Sequence, residues 1–293
     1  MRVDDAMPAA PAPAASTARG TDRHESHWEQ HARQWRYVGG PLRPCEEDVR
    51  IMERLVRSHR QGHALLALLF GVTPELAAMR WPEGTRLLAV DRSEGMIRDV
   101  WPHSGLDVAA HVIRGDWNAL PIRDGSLDLV IGDGFYTPLN YPRDYLRLGS
   151  ELFRVLRPGG QYLIRVFIRP DRPETLEAVR QDFLAGRIIS FHAFKWRLAM
   201  ALHGSLDAGV RLADIWDQWQ VMRREADRQG LKPDWPEAEV ATIDAYRGVA
   251  TRYTFPTLAE LRDILRPHFI EQECHFPAYE LGERCPILLL ARR

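Results

Sequence analysis

Short apolar runs alternate along the chain with segments whose apolar residues recur every three to four positions. "EEDVRIMERLVRSH" places Val49, Met52, Leu55 and Val56 on one helical face. The run from Ala64 to Phe70 then reads as a first strand. Six more strand-like runs follow: "RLLAV" ending at Asp91, "DVAAHVI", "LDLVIGDG", "QYLIRVF", "FIEQECHF" and "CPILLLA". Helical patterns fall between most of them. "HWEQHARQWRYVGGPLRP" predicts a helix ending by Gly39-Gly40. Another starts at Pro74, and Ser93 is placed to cap a third. "PRDYLRLGSELFRVL" is helical and stops at "RPGG". Thr257 and Glu260 are spaced as a capping box for "TLAELRDIL".

Near-continuous apolar strands separated by helices predict an α/β fold, a mostly parallel sheet covered on both faces. Four segments are expected. Residues 1–25, rich in Ala and Pro, read as a disordered tail, because Asp4, Asp5 and the prolines deny a secretory signal. Residues 26–168 carry the N-terminal helices and the core. Residues 169–253 break the alternation, look mainly helical and hold Trp196, Trp216, Trp219 and Trp235; they read as an insertion capping the sheet's carboxyl edge. Residues 254–293 complete the sheet.

The loop after the first strand changes the picture most. In open α/β sheets, ligands bind outside the carboxyl ends of the strands. In "LLFGVTPEL" only Gly71 remains of a glycine-rich loop, and Glu75 puts a negative charge where a pyrophosphate would lie. NAD and FAD are disfavoured. A ligand without phosphates, such as S-adenosylmethionine, fits better. Asp91, ending the second strand, can accept hydrogen bonds from both ribose hydroxyls. Asp116, in "RGDWNALP", can accept from an adenine amino group, and Trp117 can pack on the base.

Composition narrows the partners. The 293 residues carry a net charge of −1, which gives no footprint for nucleic acid or an anionic membrane. No apolar run approaches the roughly 20 residues that span a bilayer. Cys45, Cys274 and Cys285 form no CxxC pair; the last two read as neighbouring core thiols in a final hairpin. A cytoplasmic setting is expected. The composition leaves a homodimer open.

"AVDRSEGMI", "RGDWNALPIRDGSLDLVIGDG" and "ELFRVLRPGGQYLIRVF", in this order and spacing, resemble the class I S-adenosylmethionine-dependent methyltransferases. The resemblance covers about 64–168, with a tail end at 254–293. It departs at the opening loop, where the family usually has an acidic residue and more glycines. It implies a Rossmann-like seven-stranded sheet, S-adenosylmethionine as cofactor, no metal, and a small-molecule acceptor as in small-molecule biosynthesis. Cofactor roles then fall to Trp35, Tyr37, Arg43, Gly71, Thr73, Asp91, Arg92, Met96, Asp116, Trp117, Asp133 and Gly134. Trp35 or Tyr37 would face the sulfonium, and Arg43 would hold the methionine carboxylate. Asp133, Tyr136 and His192 are the candidate catalytic residues.

Blander readings stand beside these. His24, His27 and His31 share one helical face but have no partner ligands in the sequence, so they read as solvated rather than as a zinc site. His192, Lys195 and His203 read as structural groups or as acid–base groups. Two other functions stay open. One is cyclisation of S-adenosylmethionine itself, as in azetidine-2-carboxylate synthases, releasing methylthioadenosine. The other is a cofactor-binding accessory protein without turnover.

Overall fold

The computed structural model describes residues 21–58 and 64–293, with the side chains of 21–27 left aside. The expected tail therefore lies outside the described residues up to residue 20, while 21–25 belong to a helix. That helix, α1, spans Thr21–Gln34, and a 3₁₀ turn follows at Trp35–Tyr37, so the helix stops short of Gly39-Gly40. Helix α2 (Glu46–Ser58) buries Met52, Leu55 and Val56, the face its spacing predicts. Strand β1 is Leu66–Phe70, and α3 (Pro74–Ala77) starts at the proline, whose missing N–H costs nothing there. Strand β2 (Arg86–Asp91) leads to α4 (Glu94–Asp99), where the Ser93 side chain accepts from the Met96 amide.

Strand β3 spans Ala109–Arg114 and β4 spans Leu127–Asp133. Helix α5 (Arg143–Val155) runs straight into β5 (Leu156–Arg165). "RPGG" thus ends the helix as expected but lies inside the strand. There the pairing slips from Leu127↔Leu156 to Leu129↔Gln161, and the bulge absorbs the extra residues. The 169–253 segment folds as α6 (Leu176–Leu184), α7 (Phe191–Leu202), β6 (Val210–Arg211), α8 (Leu212–Arg228), α9 (Glu237–Val240), a 3₁₀ turn at Ala241–Tyr246, and β7 (Arg252–Tyr253). The two-residue ribbon β6–β7 is the one non-helical element that the helical reading omits. Helix α10 (Leu258–Leu265) carries the predicted capping box in full. Strands β8 (Phe269–His275) and β9 (Ile287–Arg292) finish the chain.

The sheet has seven strands in the order β3-β2-β1-β4-β5-β9-β8, parallel except where β9 pairs antiparallel with both neighbours. Alternation along β1 sorts side chains between two layers. Ala67 and Leu69 pack with Met52 and Leu76 of α2 and α3, while Leu68 and Phe70 pack with Leu148 of α5 and Leu261 of α10. The insertion forms a third apolar cluster around Phe191, Phe194 and Trp219. Cys285 packs in that cluster, whereas Cys274 sits opposite Leu288 against the α5 layer, so the two thiols do not form the expected neighbouring pair.

Candidate functional site

The chain order reverses direction at β1, where β2 lies on one side and β4 on the other. A cleft of about 730 Å³, partly open to solvent, sits at the carboxyl ends of these strands. Gly71 forms its floor with φ +81°, a conformation an L side chain avoids. A Cβ at this position would lie 3.8 Å from Oδ2 of Asp91, so the missing side chain leaves the Asp91 carboxylate open to a ligand. The Gly71 amide donates to the Val90 carbonyl at 2.9 Å, which fixes the turn against the end of β2.

Asp91 is buried and accepts from the Ser93 amide at 2.8 Å. Burial pushes its carboxyl up to about 6, against the smaller opposing pull of the Ser93 and Arg92 amides. A desolvated carboxylate with spare lone pairs matches a neutral diol such as a ribose. Trp117 lines the cleft and an adjoining cavity, its indole N–H bonded to the Val90 carbonyl at 2.8 Å and its ring stacked 6.0 Å from Phe70. Arg92, Asn140 and Asp144 line the adjoining cavity, and Thr73 and Met96 line the cleft.

Asp116 does not line either space. Its carboxylate takes Arg92 Nη2 at 2.8 Å and the Asn118 amide at 2.9 Å in a half-exposed position. The short "GDWN" turn directs Trp117 inward and Asp116 outward.

Opposite Gly71, Asp133 and Gly134 end β4. Asp133 lines the cleft and accepts from Arg165 Nε at 2.6 Å, across adjacent register positions on β4 and β5. Arg165 is wholly buried and also donates to Asp48 at 3.4 Å, to the Tyr279 hydroxyl and to the Pro41 carbonyl. Burial raises the Asp133 carboxyl, and the Arg165 charge opposes that rise. Gly134 has φ +63°, and any Cβ there would drive into the Phe167 ring.

The N-terminal segment covers one side. Trp28, His31 and Trp35 line the cleft, with His31 edge-on between the two indoles at 5.4 and 5.7 Å. Arg43 does not reach it. Its guanidinium is taken by Glu75, at 2.7 Å from Nε, and by the Trp35 and Val38 carbonyls, and it lies 5.0 Å over the Trp35 ring. Glu75 on the first turn of α3 pairs with it, so Arg43 ties the segment to α3 and is not in the cleft lining. Tyr37 likewise stays outside the lining; its carbonyl accepts from His192 Nε2 at 2.9 Å. His24 and His27 lie among the residues whose side chains are not described.

Two catalytic candidates also lie elsewhere. Tyr136 is buried against Phe135 and Tyr145 in the α5 layer, and desolvation pushes its phenol far up. His192 is buried behind the Tyr37 carbonyl, and burial lowers its imidazole to about 3, so it stays neutral. Lys195 is enclosed against Tyr246 and Thr242, and His203 holds the Phe255 amide. Among the described residues no group of three His, Cys, Asp or Glu side chains is arranged to hold a metal ion. The insertion brings three further side chains to the cleft, Trp196, Tyr246 and Tyr253. No sequence motif marks them. Their signal is the aromatic density of the insertion.

Comparisons with known proteins agree with this geometry. Residues 70–164 match a family model described as a methyltransferase domain. Over 164 residues the chain is 30% identical to the 24-methylenesterol C-methyltransferase 2 of Oryza sativa subsp. japonica, covering 50% of this chain and 44% of that protein. The match thus spans less than half of the relative's length. Two solved structures share the fold. One is a Burkholderia thailandensis 1,6-didemethyltoxoflavin-N1-methyltransferase with bound 1,6-didemethyltoxoflavin and S-adenosylhomocysteine, 16% identical with a TM-score of 0.51 over 97% of this chain and 93% of that one. The other, from Rhodobacter sphaeroides and described as a Zn-dependent alcohol dehydrogenase, is 12% identical with a TM-score of 0.55 over 90% and 98%. Residues 70–164 thus match a methyltransferase domain, and with the Gly71–Asp91 turn at the cleft this chain is similar to the class I S-adenosylmethionine-dependent methyltransferases.

Proposed function

We propose that the protein transfers a methyl group from S-adenosylmethionine to a small organic molecule. The observation that carries the reading is that Gly71, Asp91, Asp133 and Gly134, from three strand ends, line one cleft. The bound cofactor would supply an electrophilic methyl group on a positively charged sulfur. Asp91 accepts from the ribose hydroxyls. Trp117 packs beside the adenine, and Asp116 serves only by pairing with Arg92. Gly71 and Gly134 let the backbone approach the methionine portion. Trp35 presents its ring from the N-terminal side, held there by Arg43. The acceptor enters between Thr137, Phe167 and the insertion, which excludes water from the reacting atoms. The rice relative's name, a sterol C-methyltransferase, supports an organic acceptor of this kind. No helix among the described residues is long and apolar enough to cross a membrane, and the three free thiols fit a cytoplasmic setting.

Calorimetry with S-adenosylhomocysteine tests the binding site; no heat at high micromolar ligand overturns the reading. Incubation with S-adenosylmethionine alone tests the chemistry. Release of methylthioadenosine would overturn methyl transfer in favour of cyclisation.

A further inference from the structure

The end of the cleft opposite Asp91 is built from the insertion and from the residues that follow β5. Trp196 meets Phe167 edge-on at 5.2 Å, Tyr253 at 5.9 Å and Phe255 at 5.4 Å. Tyr246 joins them, edge-on to Tyr253 at 6.0 Å. Burial holds both phenols well above their usual range, so they remain protonated and uncharged. Among the described residues, no lysine or arginine side chain lines this cleft. The Arg165 guanidinium, 5.2 Å over the Phe167 ring, is sequestered by Asp133 and Asp48 without solvent exposure, and Arg43, 5.0 Å over the Trp35 ring, is paired with Glu75. Lys195 sits behind the Tyr246 ring, outside the lining.

We infer that the acceptor is an uncharged, flat aromatic molecule seated against Trp196, Tyr246 and Tyr253. The inference rests on the methyltransferase reading and names the substrate class of the same site. An anionic acceptor would be desolvated beside Asp133 with no lysine or arginine in the lining to hold it, the only positive charge being the sulfonium it reacts with. A cationic one would face the sulfonium charge, and a protonated nitrogen has no lone pair to attack with. Aromatic walls pack edge-on or offset against a flat aromatic ring and gain attraction beyond the area buried. The balance is simple for a neutral hydroxyl or ring N–H. Its lone pair forms the new bond to the methyl carbon, the carbon–sulfur bond breaks with its pair going to sulfur, and the acceptor's proton is released to bulk solvent as the methylated product leaves.

The test uses the full-length protein saturated with S-adenosylhomocysteine, so that probes cannot take the cofactor's place. Three probes are titrated by calorimetry: 2-naphthol, 2-naphthoate and decahydro-2-naphthol. The expected result is that 2-naphthol binds at least tenfold more tightly than either of the others. Equal or tighter binding of 2-naphthoate overturns the charge argument, and equal binding of the saturated ring overturns the planar one. Binding of none of them overturns the inference as a whole. Trp196→Ala and Tyr253→Ala should each weaken 2-naphthol at least fivefold while S-adenosylhomocysteine binds as before. If either variant fails to fold, the three-probe ranking on the unaltered protein still decides. Failure to bind S-adenosylhomocysteine in the first place would instead overturn the methyltransferase reading, so the two failures are distinct.

Discussion

Arg165 donates from Nε to Asp133 at 2.6 Å, and both side chains are cut off from solvent although Asp133 ends a strand at the cleft. A cation is thus held under the site without entering it. Removing one member of such a pair leaves an uncompensated charge. Arg165→Met should destabilise the protein by about 3–5 kcal/mol in urea unfolding. Asp133→Asn in the same chain should recover part of the loss. A loss below 1 kcal/mol would show that the network contributes little.

Asp91→Ala should weaken S-adenosylhomocysteine binding by about 1.5–3 kcal/mol, the range for hydrogen bonds to a charged group. Asp116→Ala should have a smaller effect, because that carboxylate faces Arg92 outside the cleft. Calorimetry on the two variants checks the order, and a reversed order would relocate the adenosine site.

The pH dependence of binding follows from the same carboxylate. Asp91 titrates near 6 in the free protein, and a diol is held by its ionised form. Affinity should be flat above pH 7 and fall by up to tenfold per unit below pH 6. Stability of the free protein runs the other way. The folded state keeps the Asp91 proton to about 6, whereas the unfolded chain releases it near 3.8, so this contribution declines as pH rises between those values. In Asp91→Asn both dependences should vanish.

Lys195 offers a second titration, lowered from 10.5 to about 7 by burial. The unfolded chain takes up a proton below 10.5 and the folded protein only below about 7. Stability should therefore rise with pH between 7 and 10.5. Lys195→Met should flatten that rise in urea midpoints measured at pH 7 and pH 9. An unchanged slope would mean that Lys195 stays charged in place.

The N-terminal segment should respond to ligand. Trp28, His31 and Trp35 line the cleft, and Arg43 pins their segment to Glu75. Hydrogen exchange across residues 28–43 should slow when S-adenosylhomocysteine is added. Equal protection in both states would make these aromatics permanent core.

The strand ends were legible because each sits where an apolar run stops. Gly71, Asp91 and Asp133 could be placed by counting runs, and their juxtaposition follows from the parallel order. The cap signals at Ser93 and Thr257 were legible for the same local reason. Side-chain direction was not. "PLRP" does not reveal that Arg43 meets a glutamate 32 residues later, and "GDWN" does not say which of Asp116 and Trp117 turns inward. Tyr136 and His192 looked chemical by type, yet layer packing took one and the Tyr37 carbonyl the other. Trp196, Tyr246 and Tyr253 are spread over 58 positions of helix, 3₁₀ turn and ribbon, so only the tertiary fold brings them together. Arg165 was within reach of the sequence, since it ends the strand beside Asp133.

Just after β5, the Arg169 amide donates to the Pro256 carbonyl at 3.0 Å, so the chain leaves the sheet and returns to it at one point. The 86 residues between those two positions form a closed excursion. Exchange of that excursion for another needs to remake the backbone seam, the apolar patch and a few polar ties, such as His192 to the Tyr37 carbonyl, Ser190 to the Gly40 carbonyl and Glu174 to Arg284, while every strand-end group that faces the cofactor stays in place. The fold thereby separates what can diverge from what must persist. On the proposed reading, a lineage carrying this scaffold changes its acceptor by replacing a cap rather than by rebuilding an enzyme.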